Sequence, residues 1–113
     1  MKVIRPKNTK EKGLIELLVY KEGSQFIGVN LTFDIVEEGN DPTALMESIK
    51  EASTLHLECV IKENMSDDLL NRYAPQEYWD KYLKVLEQRS EEANENSYFQ
   101  RSPYHKKEAV AVA

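Results

Sequence analysis

The stretch FDIVEEGNDPTALMESIKEA, residues 33–52, changes its pattern in the middle. Its first part alternates apolar and polar residues, as a half-buried strand does, and its last part has the three- and four-residue apolar spacing of a helix. Between them, Gly39-Asn40-Asp41-Pro42 predicts a sharp junction. Gly39 is expected to end the strand in a conformation that a Cβ would disfavour. Asp41 is expected to be the N-cap, and Pro42 the first helical residue.

Two further predicted strands precede this junction, at residues 14–20 and 25–31. The connection between them is short, and its Gly23 can take the positive φ that a hairpin turn requires. With a third strand at residues 33–38, they predict an antiparallel meander with one apolar face. The residues expected on that face are Ile15, Leu17, Val19, Ile27, Val29, Leu31, Phe33 and Ile35.

The helix after the junction is expected to cover this apolar face. It should run from Pro42 to about Asn64. Its apolar stripe is Leu45, Ile49, Ala52, Leu55 and Cys59. Because more apolar residues widen the stripe in its second half, the helix is expected to have a second neighbour. The helical region at residues 66–89, interrupted at Ala74-Pro75, is that predicted neighbour.

The fold class is therefore predicted to be α+β, in a single domain over residues 14–89. It is a three-stranded antiparallel meander covered on one face by a long helix and followed by a second helical region. Residues 1–13 form a basic N-terminal arm and residues 90–113 a polar tail. Within this tail, residues 108–113 regain alternation, which fits an added edge strand.

Length and composition exclude several classes of protein. A chain of 113 residues with 41% hydrophobic and 31% charged residues can bury one globular core and is too apolar for a disordered protein. It has no apolar run near the about 20 residues that span a bilayer, and no signal-peptide pattern. The single cysteine, Cys59, has no partner for an internal disulfide. These features favour the cytoplasm.

The net charge of −5 is unevenly distributed along the chain. Residues 1–13 contain five lysine or arginine residues and one glutamate, so the remaining residues carry −9. An acidic body is a poor partner for nucleic acid and suits a basic protein. The arm from Lys2 to Lys12 has two interpretations: it contacts nucleic acid, or it is a solvated terminus.

No motif for catalysis, cofactor binding or metal binding is found. The two histidines are isolated, whereas a zinc site needs convergent ligands. His56 is expected to be a satisfied, half-buried residue, and Cys59 on the same helix to be buried and inert. Paired acids such as Glu37, Glu38 and Asp41 can bind a cation, but a solvated turn with a helix cap accounts for all three. We therefore expect no catalytic residues, no cofactor and no metal.

Four aromatic residues form a distinctive cluster in the second helical region: Tyr73, Tyr78, Trp79 and Tyr82. One interpretation is that they pack this region onto the first helix. The other is that part of the set stays exposed as a protein interface, because such side chains bury a large area at low entropic cost. Acidic and basic residues are mixed here, so the region lacks the basic face of a DNA-reading helix.

Three features follow one another over residues 14–63: the strand-turn-strand LIELLVYKEGSQFIGVNL, the strand ending in glycine within FDIVEEGNDP, and the helix TALMESIKEASTLHLE. In this order they resemble the HicB-like antitoxin family. The resemblance implies a truncated ribonuclease H-like fold without the metal site of true ribonuclease H enzymes. The matching positions are Gly39, Asp41, Leu45, Ile49, Ala52, Leu55 and Leu57.

The resemblance also implies a role in a toxin–antitoxin system, as a protein that sequesters a small basic mRNA-cleaving toxin. Members usually add a DNA-binding helix-turn-helix or ribbon-helix-helix. Residues 66–113 show neither, so DNA binding is not expected. Exposed strand edges predict a homodimer or higher homo-oligomer. The alternatives are a stand-alone homo-oligomer and a weak nucleic-acid binder that uses the basic arm.

Overall fold

The chain folds around a four-stranded antiparallel sheet in the order β3-β2-β1-β4. The structure is a computed structural model that describes residues 7–89 and 97–105. The strands are β1 (Lys12–Glu22), β2 (Gln25–Asn30), β3 (Ile35–Gly39) and β4 (Ser97–His105). The first three form the predicted meander, and Gly23 makes the first turn with a φ of 64°.

The strand β4 lies beside β1 and comes earlier in the chain than the predicted C-terminal strand. It pairs along β1 from Lys12, opposite His105, to Tyr20, opposite Ser97. Residues 97–105 therefore belong to the sheet and not to a polar tail. Their composition hides the strand, because Gln100, Arg101 and Ser102 are three polar residues in a row and break any alternation with apolar residues. The predicted strand at residues 108–113 lies outside the described residues.

The two long helices, α1 (Pro42–Lys62) and α2 (Gln76–Arg89), lie on opposite faces of the sheet. The core under α1 contains Ile15, Leu17, Val19, Phe33, Leu45, Ile49, Leu57, Val60 and Leu70. The core under α2 contains Leu18, Tyr20, Val29, Leu31, Ala74, Trp79, Tyr82 and Val85. In the described ranges, neither helix combines the length and the apolar character that crossing a bilayer requires.

Two predictions about the faces of the sheet are wrong. Val29 lies opposite Leu18, and Ile27 lies opposite Tyr20, so this side of β2 faces α2 and not α1. The second helical region was predicted to be the neighbour of α1. Its long helix α2 instead covers the opposite face of the sheet. Alternation shows which residues share a face, but a one-residue shift in register decides which face that is.

The strand-to-helix junction is confirmed at Asp41 and Pro42. Asp41 is the N-cap, with φ −121° and ψ 110°, and its carboxylate accepts hydrogen bonds from the two amides after Pro42 at 3.0 and 3.3 Å. Pro42 is the first helical residue, where no amide donor is needed. Gly39 differs from the expectation. Its φ is not positive, and a Cβ there would lie 3.8 Å from Leu45 Cδ1, an ordinary contact.

The buried stripe of α1 departs from the predicted stripe after Ile49. Its buried residues are Leu45, Ile49, Ser53, Leu57 and Val60. Leu55 and Cys59 are exposed, so their predicted burial is wrong. Ser53 takes a core position because Asn30 Nδ2 donates to its hydroxyl at 2.6 Å and the hydroxyl donates to a carbonyl one turn earlier. A polar residue satisfied in this way is invisible to a hydrophobic pattern.

The end of the basic arm is tied to the domain from Asn8 onward. Asn8 is buried, donates to the carbonyls of Leu14 and Leu70, and accepts from the amide of Leu14. Lys10 Nζ lies 3.0 Å from the carboxylate of Asp67, at the start of a short 3-10 helix. The solvated-terminus interpretation therefore fails for this part of the arm. Residues 1–6 lie outside the described residues.

Candidate functional site

The four aromatic residues of the predicted interface separate into a buried pair and a more exposed pair. Trp79 is 8% exposed and Tyr82 is 0% exposed, and both belong to the core between α2 and the sheet. Tyr73 is 41% exposed, and Tyr78 is half-buried. The ring centroids of Trp79 and Tyr82 lie 5.9 Å apart in an edge-on contact. Trp79 and Tyr82 hold α2 on the sheet, so within this set only Tyr73 and Tyr78 have surface open to solvent.

Negative charge is concentrated on β3 and α1. Residues 34–58 contain seven acidic residues and a single lysine, Lys50. The acids are Asp34, Glu37, Glu38, Asp41, Glu47, Glu51 and Glu58, and each is exposed or half-buried. Lys50 Nζ lies 3.6 Å from Glu47 Oε1. Lys62 adds a second cation at the end of α1 and Glu63 an eighth acid, so carboxylates remain in excess and this side of the domain has a negative potential.

One flank of α1 lies beside β3. Ser48 Oγ donates a hydrogen bond to Glu37 Oε1 at 2.6 Å, which fixes this flank against the strand. Ala52, Leu55 and Cys59 follow Ser48 at steps of three or four residues and so share the flank. We call these three residues the α1 strip. Leu55 is 62% exposed, so the strip presents apolar surface to solvent on the flank of α1 that Ser48 ties to β3.

Val36 extends this apolar surface on the other side of β3. It lies opposite Val29, on the face of the sheet that α2 covers elsewhere, yet it is 45% exposed. Met65 lies at the far end of the α1 strip, with its Sδ 4.0 Å from Cys59 Sγ, and is 37% exposed. We call β3, the α1 strip and Met65 the β3 surface. Three of the five large, exposed hydrophobic side chains in the described part of the chain lie on it: Val36, Leu55 and Met65.

His56 and Cys59 of α1 have different surroundings. His56 Nε2 donates to the carbonyl of Leu69 at 2.6 Å, and its ring lies 4.7 Å from that of Phe33. This is the satisfied, half-buried histidine that was expected. Cys59 is exposed on the α1 strip, so it is not the buried thiol that was expected. Across residues 7–89 and 97–105, no three His, Cys, Asp or Glu side chains meet as metal ligands.

The groups whose pKa is shifted take part in contacts that hold the fold together. Burial, and then the charge of Glu22, raises the pKa of Tyr20 to about 12. Burial also raises the pKa of Tyr104, whose hydroxyl donates to a backbone carbonyl of the N-terminal segment at 2.7 Å. The hydrogen bond from Lys10 lowers the pKa of Asp67. Burial and hydrogen bonds within the fold cause these shifts.

Gly28 is the residue that sequence reasoning missed. A Cβ at this position would lie 2.9 Å from Leu45 Cγ and 3.3 Å from Ile49 Cγ2. The helix α1 can therefore lie this close to β2 only because position 28 has no side chain. A glycine inside an apolar strand is a signal of such close approach, and it was available in the sequence. The close approach helps to place Ser48 against Glu37, and with it the α1 strip beside β3.

No family model, no curated protein and no solved structure matches this chain. The resemblance to HicB-like antitoxins is therefore still a prediction from the residues.

Proposed function

We propose that this chain is a non-catalytic protein-binding module of the HicB-like antitoxin kind, located in the cytoplasm. It forms a homodimer or higher homo-oligomer and sequesters a small basic protein. The observation that carries the proposal is the exposure of apolar side chains, Val36 and Leu55, among the acidic residues of β3 and α1. Apolar side chains grouped on a surface and surrounded by charge of one sign favour a protein interface.

The charge of the β3 surface favours a basic partner. Carboxylates concentrated on one side attract a basic protein over a distance and repel nucleic acid. The exposed side chains of Leu55 and Val36 add apolar contact, which charge alone does not supply. Lys10 of the arm forms an ion pair with Asp67 at 3.0 Å, which argues against a nucleic-acid role for this lysine.

The strand edges support the homo-oligomer. In the described part of the chain, β3 and β4 are the two edge strands of the sheet. Edge strands are ready templates for pairing with another copy. An antiparallel pair of β3 strands centred on Glu37 would place this glutamate opposite its own copy, which is unfavourable. We therefore expect copies of the chain to associate through a surface other than β3.

Charge reversal on α1 tests this proposal. Wild-type protein should retain a small basic protein from a lysate of the native host, and the double variant Glu51→Lys, Glu58→Lys should lose it. The matched control, Glu77→Lys with Asp80→Lys, makes the same change in net charge on α2 and should retain the partner. The proposal fails if wild-type protein retains no small basic protein, or if the α1 variant retains as much as wild type.

A further inference from the structure

We infer that the basic partner binds as an extended segment that adds a strand to the outer edge of β3. This inference rests on the proposed function and specifies how the partner is held. In strand addition, backbone hydrogen bonds supply affinity and the flanking side chains supply specificity. In the described part of the chain no strand pairs with this edge of β3.

One hydrogen bond fixes the direction of the backbone groups across the sheet. The amide of Leu31 donates to the carbonyl of Glu16 at 2.8 Å, so Glu16 points its backbone groups toward β2. Residues of a strand alternate in the side to which they point these groups. Leu18, two residues after Glu16, therefore also points its backbone groups toward β2, and its partner Val29 points back toward β1. Gly28, next to Val29, then points its backbone groups to the other side, toward β3.

The same alternation identifies the backbone groups that β3 offers outward. Glu37 lies opposite Gly28, so its amide and carbonyl point into the sheet. The neighbouring Val36 and Glu38 therefore point their amides and carbonyls away from the sheet. These two residues supply the donors and acceptors for an added strand.

Side chains on both sides of this edge suit a segment that carries basic and apolar residues. On the α1 side, the incoming side chains would pass Glu37, which is bonded to Ser48, and then the exposed Leu55 further along α1. On the α2 side they would meet Val36 and Glu38, which lie opposite Val29 and Ile27. Apolar side chains of the segment would cover Val36 and Leu55, and lysine or arginine side chains would pair with the glutamates.

The other edge of the sheet is less suited to this segment. The strand β4 carries Arg101, whose side chain is 55% exposed, and Pro103, which has no amide to donate. Glu16 points its backbone groups toward β2 and away from β4, so its β4 partner Arg101, and Pro103 two residues further on, point theirs to the outer side of β4. At β4 a basic segment would therefore meet an arginine whose charge Glu16 only partly offsets and, at Pro103, a missing donor. The charge and the donors together favour β3.

Short synthetic peptides provide the probe for this inference. A peptide that alternates lysine and valine should bind the full-length protein. A lysine and serine peptide of equal length, which keeps the charge but lacks the apolar side chains, should bind at least about tenfold more weakly. A glutamate and valine peptide should not bind, because like charges would face each other across the edge.

Amide hydrogen exchange locates the bound peptide. The lysine and valine peptide should slow exchange at Val36 and Glu38 at least about tenfold, because these amides become hydrogen-bonded. The amide of Glu37 serves as an internal control, since it is already bonded to β2 and should change little. A peptide that binds without slowing exchange at Val36 and Glu38 overturns the inference and leaves the proposed function standing. Failure of every basic peptide and of every host protein to bind overturns both.

A pair of variants tests the outward amide directly. Glu38→Pro and Glu38→Gln both remove the charge, but only proline removes the amide donor and places a ring on the edge. Glu38→Gln should weaken peptide binding a few-fold, and Glu38→Pro should abolish it. Equal affinities of the two variants would contradict strand addition. The exchange measurement on wild-type protein decides the matter if Glu38→Pro fails to fold.

Discussion

At the scale of single residues, Gly28 sets how closely α1 approaches the sheet. Gly28→Ala would place a Cβ 2.9 Å from the branch point of Leu45, so we expect a loss of about 1–3 kcal/mol in the free energy of unfolding. Gly39→Ala is the matched control. Its Cβ meets only an ordinary contact without positive φ, so we expect no loss and a gain of up to about 1 kcal/mol. Urea denaturation measures both, and equal losses would contradict the close approach of α1.

Buried polar residues are the part of the core that the sequence did not reveal. Asn30 Oδ1 accepts hydrogen bonds from the amides of Thr32 and Phe33, at 2.9 and 2.7 Å, and its Nδ2 donates to Ser53. Asn8 makes a similar set of bonds near the start of β1. The bond from Asn30 to Ser53 joins residues 23 apart and the bond from Asn8 to Leu70 joins residues 62 apart, so no local pattern identifies them. The Asp41 cap was predictable because its partners lie two and three residues away, at the start of a helical apolar spacing.

At the scale of elements, the cap of α1 should contribute measurably to stability. Asp41→Ala removes the acceptor for two first-turn amides, so we expect the free energy of unfolding to fall by about 0.5–2 kcal/mol. Asp41→Asn keeps a side-chain oxygen at the same position and should stay close to wild type. Thermal and urea unfolding of both variants measure the difference. An alanine variant as stable as wild type would show that the cap is dispensable.

The short 3-10 helix and the N-terminal segment should make stability depend on acid pH. The hydrogen bond from Lys10 keeps the pKa of Asp67 below its ordinary value, so the folded state favours the charged carboxylate. This contribution is present above about pH 4 and is lost as the pH falls through the lowered pKa. In wild-type protein the urea midpoint should fall as the pH is lowered, and in Asp67→Asn and Lys10→Met it should fall less. If the urea midpoint of both variants falls with pH as steeply as that of wild type, this role is contradicted.

Elements with strong local signals were predictable, and elements defined by pairing were not. The helix predicted from Pro42 to about Asn64 runs from Pro42 to Lys62, because its cap and apolar spacing are local. The strand β4 was missed because its pairing with β1 joins residues far apart in the chain. The face of β2 was assigned wrongly for a related reason: register depends on the partner strand. The β3 surface was not foreseen either, because the exposure of its side chains also depends on how the strands pair.

At the scale of the whole molecule, the chain should associate with itself. We expect light scattering at micromolar concentration to give at least twice the chain mass of 13.1 kDa. The Glu51→Lys, Glu58→Lys variant should keep this mass, since we place the contact between copies away from β3 and α1. A wild-type mass of one chain would contradict the homo-oligomer. A variant that becomes monomeric would show that α1 is a contact between copies.

The central claim is that a partner binds at the β3 surface and not at the aromatic residues near α2. The most direct test compares the affinity of two double variants for the lysine and valine peptide. Val36→Ser with Leu55→Ser should bind at least about tenfold more weakly than wild type, whereas Tyr73→Ser with Tyr78→Ser, the more exposed pair of the aromatic set, should bind as wild type does. Loss of binding in the tyrosine variant alone would contradict the account.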